Sequence, residues 1–454
     1  MSDRPITIFG AGLAGALMAV YLARRGFRVD LYERRTDPRQ TGVERGRSIN
    51  LALSTRGIDA LSRVGLAEQV LADAIPMRGR MIHARAVGPE ALSFQPYSRD
   101  PTRFINSVSR GGLNLTLIEA AEREPGVTIR FGARCLSVDF EARTAEVQFA
   151  PTDTSQTIEV GTVIGADGAF SGVRGSMQKR DRFDYDQSYL THGYKELTIP
   201  PAGDDPGPHG AWRIEKNALH IWPRGQFMMI ALPNADGSFT CTLFWPFEGP
   251  NSFAALKSEG EILAFFRDQF PDAVPLIPDL PRQFLENPTS SLVTVRCAPW
   301  HIDGRAVLIG DAAHAVVPFY GQGMNASFED CRVLAQCLDE ARGPGASEAG
   351  LAFAFARYQQ MRKRHTDALA ALAVENFIEM RDKVADPWFR RRKAMEHFLE
   401  DRFPRWYQSL YAMVTFTTIP YAEAVARARL QDRVLVMAIS ALVLTLLVII
   451  WVAF

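Results

Sequence analysis

The chain has 454 residues, with 51 basic and 51 acidic side chains and therefore a formal net charge of zero. This length is sufficient for two or three domains with complete hydrophobic cores, so stability does not require disulfides or metals. Without a net charge, no overall field attracts nucleic acid, and we expect no nucleic-acid partner. The five cysteines form no CxxC pair and lie near no histidine cluster. They predict reduced thiols in a body that faces the cytosol, and no metal site.

The first predicted element is a strand that runs into a glycine turn. Ile6–Phe9 is β-branched or aromatic throughout, which is typical of a buried strand. Gly10 then allows a tight turn, Gly12 allows a pyrophosphate to approach the backbone, and Gly15 lets the following helix pack closely. This order of residues predicts a dinucleotide site, although a glycine turn in another kind of βαβ unit has the same pattern.

A helix and a second strand complete the predicted βαβ unit. The helix covers residues 14–25, and its N-terminal N–H groups would face the phosphates. Arg28–Tyr32 is the second strand, and Glu33 follows it at the distance where an acidic side chain accepts from ribose hydroxyls. The residues assigned to the dinucleotide in this unit are Gly10, Ala11, Gly12, Leu13, Ala14, Gly15, Glu33, Arg34 and Arg35.

The middle of the chain changes from mixed α/β to mostly β. Within the first part, residues 55–71 are predicted to be helical and residues 127–149 to form paired strands. A β-rich region follows, which we expect to cover the first domain and enclose a substrate. Its predicted strands are Tyr194–Ile199, Ala218–Trp222, Gln226–Leu232 and Phe239–Trp245.

Two later segments repeat the apolar strand that ends in a glycine turn. Val163–Gly168 contains Asp167, and Val307–His314 contains Asp311. Asp311 could accept from ribitol or ribose hydroxyls, and a helix that begins near Gly321–Asn325 would direct its N–H groups at a flavin ring. Taken alone, the Asp167 turn could equally be the ordinary end of a strand. Together with the N-terminal unit, the three turns predict one FAD site built from distant parts of the chain.

The C-terminal part is predicted to be helical, from 325 to 340 and from 351 to 383, and to end in a membrane span. Val434–Phe454 contains no charge in 21 residues, enough for a helix of about 31 Å, whereas a buried core helix is usually shorter and amphipathic. Arg427, Arg429 and Arg433 precede this run, so the body is expected to face the cytoplasm.

The predicted fold class is therefore α/β: a Rossmann-type FAD-binding domain with a β-sheet substrate domain, C-terminal helices and a transmembrane helix. The predicted regions are 1–180 and 291–345 for the two parts of the FAD-binding domain, 181–290 for the substrate domain, 346–432 for the helices and 433–454 for the anchor.

These features resemble the class A flavoprotein monooxygenases, the aromatic hydroxylase group, from the N-terminus to about Tyr421. Six long stretches carry the resemblance and are most similar to members that hydroxylate the amino acid L-kynurenine. The stretches are Gly46–Ser54, Gly79–His83, Tyr194–Pro200, Pro318–Asn325, Asn376–Arg381 and Tyr411–Phe416. The apolar tail also agrees with a family whose eukaryotic members are membrane anchored.

The resemblance implies a substrate site around Arg80 and Tyr97, which would hold a carboxylate; a guanidinium pairs with carboxylate in a bidentate fork. An exposed or FAD-facing Arg80 is the alternative. The spacing between the two residues suggests an insertion near Val87–Leu92. Asn376 and Tyr411 would also contact the amino-acid group of the substrate. Phe319 and Phe247 would pack on its aromatic ring. Each has an ordinary structural reading as well, as a satisfied polar group in a helix bundle or as a core side chain. The resemblance extends the FAD contacts to Ala52, Arg110 and Leu136, in addition to Asp167, Asp311, Gly323, Met324 and Asn325 from the later segments.

The implied activity is an NADPH-dependent FAD monooxygenase that converts L-kynurenine to 3-hydroxykynurenine with O₂, in tryptophan catabolism. No side chain receives a catalytic role, because FAD carries the chemistry while the protein positions the ring and excludes water. NADPH would dock without a second Rossmann domain. A squalene-epoxidase-like or isoprenoid-reductase-like enzyme is the alternative, and it would need an apolar tunnel in place of Arg80 and Tyr97. A membrane-tethered binding module with structural FAD is a second alternative.

Overall fold

The computed structural model describes residues 4–41, 50–85, 88, 91–203, 207–341, 347–379 and 387–453. Outside these residues lie parts of two matching stretches, 46–49 and 380–381, half of the suggested insertion and the last residue of the predicted anchor. The strands are β1 (Ile6–Phe9), β2 (Val29–Glu33), β3 (Asn50–Leu53), β4 (Ile75–Met77), β5 (Gly79–His83), β6 (Leu92–Pro96), β7 (Ile105–Ser109), β8 (Val127–Phe131), β9 (Ala133–Asp139), β10 (Thr144–Phe149), β11 (Thr154–Glu159), β12 (Val163–Gly165), β13 (Asp184–Ile199), β14 (Ala218–Pro223), β15 (Met228–Pro233), β16 (Phe239–Pro246), β17 (Ser290–Ala298), β18 (His301–Ile302) and β19 (Ala306–Leu308). The helices are α1 (Leu13–Ala23), α2 (Pro38–Thr41), α3 (Thr55–Ser62), α4 (Ala67–Ala72), α5 (Arg110–Arg123), α6 (Gly172–Met177), α7 (Glu259–Gln269), α8 (Leu280–Glu286), α9 (Asp311–His314), α10 (Gly323–Ala341), α11 (Glu348–Ile378), α12 (Pro387–Arg402), α13 (Leu410–Phe416) and α14 (Tyr421–Ala453).

A six-stranded sheet carries the three glycine turns. Its order is β18-β19-β12-β1-β2-β8, and all of its pairs are parallel except β18 with β19. The carboxyl ends of β1, β12 and β19 therefore lie at one edge, where ligands bind in sheets of this type. Backbone hydrogen bonds join them there, from Ala166 to Phe9 at 2.8 Å and from Ile309 to Gly165 at 3.0 Å. The predicted α/β fold class is confirmed.

A seven-stranded sheet of order β17-β13-β16-β15-β14-β5-β6 lies beside this domain. One face packs on a core that includes Trp222 and Phe266, and the other on Phe319 and Phe377. The sheet extends beyond the predicted region 181–290, since β5 and β6 come from the first part of the chain and β17 ends at Ala298. A parallel register between β14 and β5 brings in these earlier strands.

Three local predictions differ from the structure. Residues 55–71 form two helices, because Gly65 adopts φ of 60° and the chain turns back there. β8 pairs with β2, so only β9 and β10 of the region 127–149 pair with each other. β13 begins at Asp184, ahead of the predicted start, because its first half pairs with β17 and its second half with β16. The other three strands predicted in the β-rich region correspond to β14, β15 and β16.

The C-terminal part is helical, and α14 continues without a break across the predicted boundary at residue 433. Within the described residues, α14 is the one helix whose length and apolar composition suffice to cross a membrane. Its apolar end packs against no other part of the described chain.

Candidate active site

The first glycine turn leaves a defined space. Gly10 has φ of 99°, and a Cβ there would lie 2.4 Å from the carbonyl oxygen of Ala166. A Cβ on Gly15 would lie 1.8 Å from the carbonyl oxygen of Gly10. A Cβ on Gly12, by contrast, would meet no atom of the described residues within 4 Å. The protein itself therefore requires Gly10 and Gly15, whereas the space at Gly12, at the N-terminus of α1, fits a phosphate group.

We expect Gly12→Ala to weaken FAD binding roughly tenfold or more, because the added methyl occupies the space for the pyrophosphate. The same change should alter the stability of the apoprotein by less than about 1 kcal/mol, since only a helix N-cap preference is affected. FAD titration and thermal unfolding of the apoprotein measure the two effects. Gly15→Ala is the matched control and should lower the stability of the apoprotein itself. Equal losses of apoprotein stability in both variants would contradict this assignment.

Glu33 is buried at the end of β2 and holds the glycine turn. Its Oε2 accepts from the Ala11 N–H at 2.8 Å, and its Oε1 accepts from the Arg35 N–H at 3.0 Å. Each oxygen retains a further lone pair that a ribose hydroxyl could use. The side chains of Arg34 and Arg35 are exposed, so either could reach a phosphate from solvent.

Arg174 joins the second and third turns, although nothing in the sequence pattern pointed to it. This buried guanidinium donates to the carbonyl oxygens of Ala312 at 2.8 Å and Ala169 at 2.6 Å. Asp167 accepts from the Gly172 N–H at 2.8 Å through Oδ2 and so caps α6. Its Oδ1 is buried without a hydrogen-bond partner among the described residues. That oxygen alone remains available for the predicted cofactor contact.

Asn325 connects the loop before α10 to β3. Its Nδ2 donates to the carbonyl oxygens of Ala52 at 2.8 Å and Gly321 at 2.9 Å, and its Oδ1 accepts from Ser54 N–H at 2.9 Å. The side chain is therefore fully used in holding the loop. Gly323 and Met324 open α10, so the first N–H groups of this helix lie beside the loop that Asn325 fixes.

Three other predicted cofactor residues are Asp311, Arg110 and Leu136. They lie near the carboxyl edge of the six-stranded sheet or on β9, the strand next to α6. Asp311 opens α9, and its side chain is exposed. The protein packed around its carboxyl removes water from the charged form and so raises the pKa, and the positive charge of Arg110 opposes this rise. Arg110 opens α5 and is itself exposed. Leu136 is 36% exposed on β9, and its carbonyl oxygen borders Gly172 of α6. All three side chains are open to a ligand.

Glu196 on β13 interacts electrostatically with Arg110. Burial raises the pKa of its carboxyl to about 7, and Arg110 opposes that rise. A raised carboxyl pKa means that the folded chain binds more protons than the unfolded chain between the two pKa values, so stability falls as pH rises through that window.

We therefore expect Glu196 itself to contribute a loss of apoprotein stability as pH rises from about 4.5 to about 7, and Glu196→Gln to remove that contribution. Thermal unfolding midpoints of the wild type and the variant across this range provide the comparison. Parallel pH profiles for the two proteins would contradict the assignment to Glu196.

Arg80 lies in a buried cluster of tyrosines. Its guanidinium carbon is 4.9 Å from the ring centre of Tyr411 and 5.7 Å from that of Tyr97, and the two rings stack at 5.4 Å. Arg80 Nε and the Tyr97 hydroxyl are buried, and neither makes a hydrogen bond of normal geometry within the described residues. Buried donors without partners are rare, so this pair fits an acceptor supplied by a ligand.

The charges of this cluster favour a zwitterionic ligand. Burial opposes the charge on Arg80, but Tyr411, Tyr97 and Glu379 raise the pKa of the guanidinium above its ordinary value. Burial raises the pKa of the Tyr97 hydroxyl well above its ordinary value. At neutral pH the cluster thus offers a cation and a neutral donor, with the carboxylate of Glu379 close by. Glu379 was missed by the sequence reasoning, although it lies one helical turn after Asn376.

An aromatic group continues the site toward the loop before α10. The Asn376 Nδ2 donates to the carbonyl oxygen of Phe319 at 2.7 Å, and the Phe319 ring stacks on Phe377 at 4.1 Å. Phe244 approaches Phe319 at 4.8 Å. Phe247, which the sequence also assigned to ring packing, follows the end of β16, and its ring lies against Gly193, so its packing role stays a prediction. Phe244 faces the site because side chains alternate along the strand.

A buried network of charges lies beside the third glycine turn. Arg56 pairs with Glu329 at 3.1 Å, Glu329 also pairs with Arg362, and Arg362 Nε donates to Asp330 Oδ1 at 2.7 Å. Asp330 Oδ2 in turn accepts from the Gly310 N–H at 2.9 Å, in the turn before Asp311. All four charged side chains are nearly inaccessible to solvent. The network therefore fixes the position of the third turn.

The same network reaches the first residue of α14. The Arg56 guanidinium carbon lies 4.1 Å from the ring centre of Tyr421, and the Tyr421 hydroxyl donates to Gln322 Oε1 at 3.2 Å. Gln322 Nε2 donates to the Ser54 hydroxyl at 3.2 Å. The helix that could cross a membrane therefore begins in contact with the loop that borders the candidate flavin site.

Comparison with known proteins gives a consistent result. Residues 3–190 and 277–373 match a family model described as an FAD binding domain. Kynurenine 3-monooxygenase of Dictyostelium discoideum is 50% identical to this chain over 93% of its length and 90% of the relative. The enzyme of the same name from Myxococcus xanthus (strain DK1622) is 50% identical over 94% of this chain and 89% of the relative.

Solved structures show the same fold at low sequence identity. A tetrameric form of 2-methyl-3-hydroxypyridine-5-carboxylic acid oxygenase has a TM-score of 0.66 at 21% identity and covers 90% of this chain and 99% of its own. PqsL of P. aeruginosa in complex with 2-aminobenzoylacetate has a TM-score of 0.64 at 20% identity, over 83% of this chain and 99% of its own.

Proposed function

The chain belongs to the kynurenine 3-monooxygenase family of FAD-binding proteins, and we propose that it hydroxylates L-kynurenine to 3-hydroxykynurenine. The reaction inserts one atom of O₂ into an aromatic C–H bond and reduces the other to water with two electrons from NADPH. The observation that carries the proposal is a pair of buried donors, Arg80 Nε and the Tyr97 hydroxyl, which have no hydrogen-bond partner among the described residues and match the carboxylate of an amino acid.

The cofactor is assigned to the edge of the six-stranded sheet. Gly12 leaves space that would take the pyrophosphate, Glu33 would be available to a ribose, and the N-terminus of α10 would face the flavin ring, where reduced flavin carries negative charge. Bound FAD, once reduced by NADPH, supplies the activation of O₂. NADPH would dock from solution, since no second glycine fingerprint occurs in the sequence.

The substrate residues would hold both ends of an amino acid. Arg80 and Tyr97 would donate to the carboxylate, and Glu379 would attract the ammonium group, because its charge already acts on Arg80. Asn376, with its Nδ2 committed to the carbonyl of Phe319, would hold that phenylalanine in place. Phe319 and Phe244 would then pack against the aromatic ring and exclude water from it.

Membrane attachment through α14 completes the proposal. Arg427, Arg429 and Arg433 precede the apolar run, which favours a body on the cytoplasmic side. This orientation would put the candidate active site on the side where NADPH is available.

Substrate-stimulated oxidation of NADPH tests the proposal and its alternatives. We expect the FAD-loaded chain to oxidise NADPH faster with L-kynurenine than without it, and its decarboxylated analogue to stimulate poorly, because Arg80 lacks its acceptor. Stimulation by squalene or an isoprenoid instead of L-kynurenine would favour the apolar-tunnel alternative. A yellow protein that NADPH never bleaches with any of these ligands would favour the binding module.

A further inference from the structure

One face of α12 is exposed and has a pattern of its own. Arg391, Met395, Phe398 and Arg402 recur at spacings of four, three and four residues, so they lie along one side of the helix. Met395 is 40% exposed and Phe398 is 60% exposed. An apolar centre with arginine at each end is typical of helices that lie in the interface of a membrane.

The helix α12 and the turn after it lie beside the part of α14 that precedes its apolar run. Arg392 approaches Asp432 of α14 at 3.6 Å, and the buried Gln431 Nε2 donates to the carbonyl oxygen of Trp406 at 2.7 Å. The apolar run begins at Val434, about 3 Å further along the helix axis than Asp432. The turn that follows α12 is therefore held at the level where α14 would enter the hydrocarbon.

The turn itself is aromatic and basic. Phe403 is 48% exposed and Trp406 is 45% exposed, with Arg405 between them. Aromatic side chains beside a membrane span are enriched at the level of the lipid headgroups. The acidic residues nearby are directed elsewhere, since Asp401 pairs with Arg99 at 3.0 Å and Glu400 accepts from the Ser409 N–H at 2.6 Å.

We propose that the exposed face of α12 and the turn 403–406 form a membrane-docking surface, which lies in the headgroup layer of an anionic bilayer beside α14. The proposal rests on membrane attachment through α14 and extends it to a second contact. Continuity with the apolar run and the arginines at the edge of the surface favour anionic lipid as its occupant.

The opposite face of α12 belongs to the body. Glu396 and Leu399 are buried, and Lys393 lies 3.8 Å from Glu379 beside the candidate substrate site. One helix would therefore contact lipid on one side and close the substrate site on the other. The bilayer would fix the position of this helix against the body.

The depth of a fluorescent label in the bilayer tests the proposed membrane-docking surface, with the full chain as the protein. Phe398→Cys carries an environment-sensitive dye, and Phe353→Cys is the matched control, since Phe353 is 57% exposed on α11. Phe353 lies about 39 Å along that helix from Glu379, by the rise of an α-helix. Both proteins are inserted into vesicles of phosphatidylcholine with phosphatidylserine, and the unsubstituted chain is labelled in parallel because Cys135 is half-buried.

We expect spin-labelled lipids to quench the dye at 398 several-fold more than the dye at 353, and aqueous iodide to do the reverse. Less lipid quenching at 398 in pure phosphatidylcholine would support the anionic preference. Equal iodide quenching at both positions would overturn the proposal. Protection from iodide without lipid quenching would also overturn it, in favour of a contact with a second copy of the chain. Kynurenine-stimulated NADPH oxidation in the same vesicles reports separately on the proposed activity.

Discussion

Replacing Arg80 with methionine is expected to lower kcat/KM for L-kynurenine by roughly 10²- to 10⁴-fold. Hydrogen bonds to charged groups contribute about 1.5–3 kcal/mol each, and Arg80 can offer two of them to one carboxylate. Methionine preserves much of the volume that Arg80 fills beside Tyr97 and Tyr411, whose rings stack on each other. The loss should therefore lie in recognition of the carboxylate, with the fold maintained.

The decarboxylated analogue of L-kynurenine makes this test specific. The wild type should prefer L-kynurenine strongly, and Arg80→Met should largely abolish that preference, because the analogue never engages Arg80. Arg78→Met is the matched control, since Arg78 is exposed and donates to the carbonyl oxygen of Pro101 at 3.0 Å. Equal losses on both compounds in Arg80→Met would contradict the assignment of Arg80 to the carboxylate.

Arg362→Met is expected to lower the free energy of unfolding by about 3–5 kcal/mol, because it leaves two buried carboxylates without their shared cation. Arg362 pairs with Glu329 and with Asp330, and neither carboxylate can reach solvent. Asp330 also holds the Gly310 N–H, so the variant should retain less FAD after purification.

Denaturant titration of the wild type and two variants measures this effect. Arg364→Met is the control, because Arg364 lies two residues along the same helix, is 66% exposed and pairs with Glu423 at 2.9 Å. An exposed pair contributes at most about 1 kcal/mol, so this variant should resemble the wild type. Similar losses of stability in the two variants would show that the buried network contributes no more to the free energy of unfolding than an exposed ion pair does.

The parts of the site that the sequence predicted are those with a local signal. Strands β1, β12 and β19 each combine an apolar run with a glycine turn within about ten residues, and this pattern needs no knowledge of distant contacts. Because parallel strands in one sheet end at one edge, the three turns could be assigned to a common site before their pairing was known.

The parts that the sequence did not predict depend on distant pairing or on register. Arg56 and Glu329 are 273 residues apart, and a buried ion pair of this kind has no local pattern. Phe244 and Phe247 are equally apolar, so only the end of β16 decides which of them faces Phe319. The first half of β13 is polar and exposed, and it is a strand because β17 pairs with it.

The most direct measurement of the proposed activity is mass analysis of the product that the FAD-loaded chain forms from L-kynurenine, NADPH and isotopically heavy O₂. We expect one labelled oxygen in the product, on the ring carbon ortho to the aniline nitrogen, together with consumption of NADPH. An unlabelled product, or NADPH consumption that leaves saturating L-kynurenine unchanged, would contradict the proposal that Arg80 and the flavin edge form one hydroxylase site.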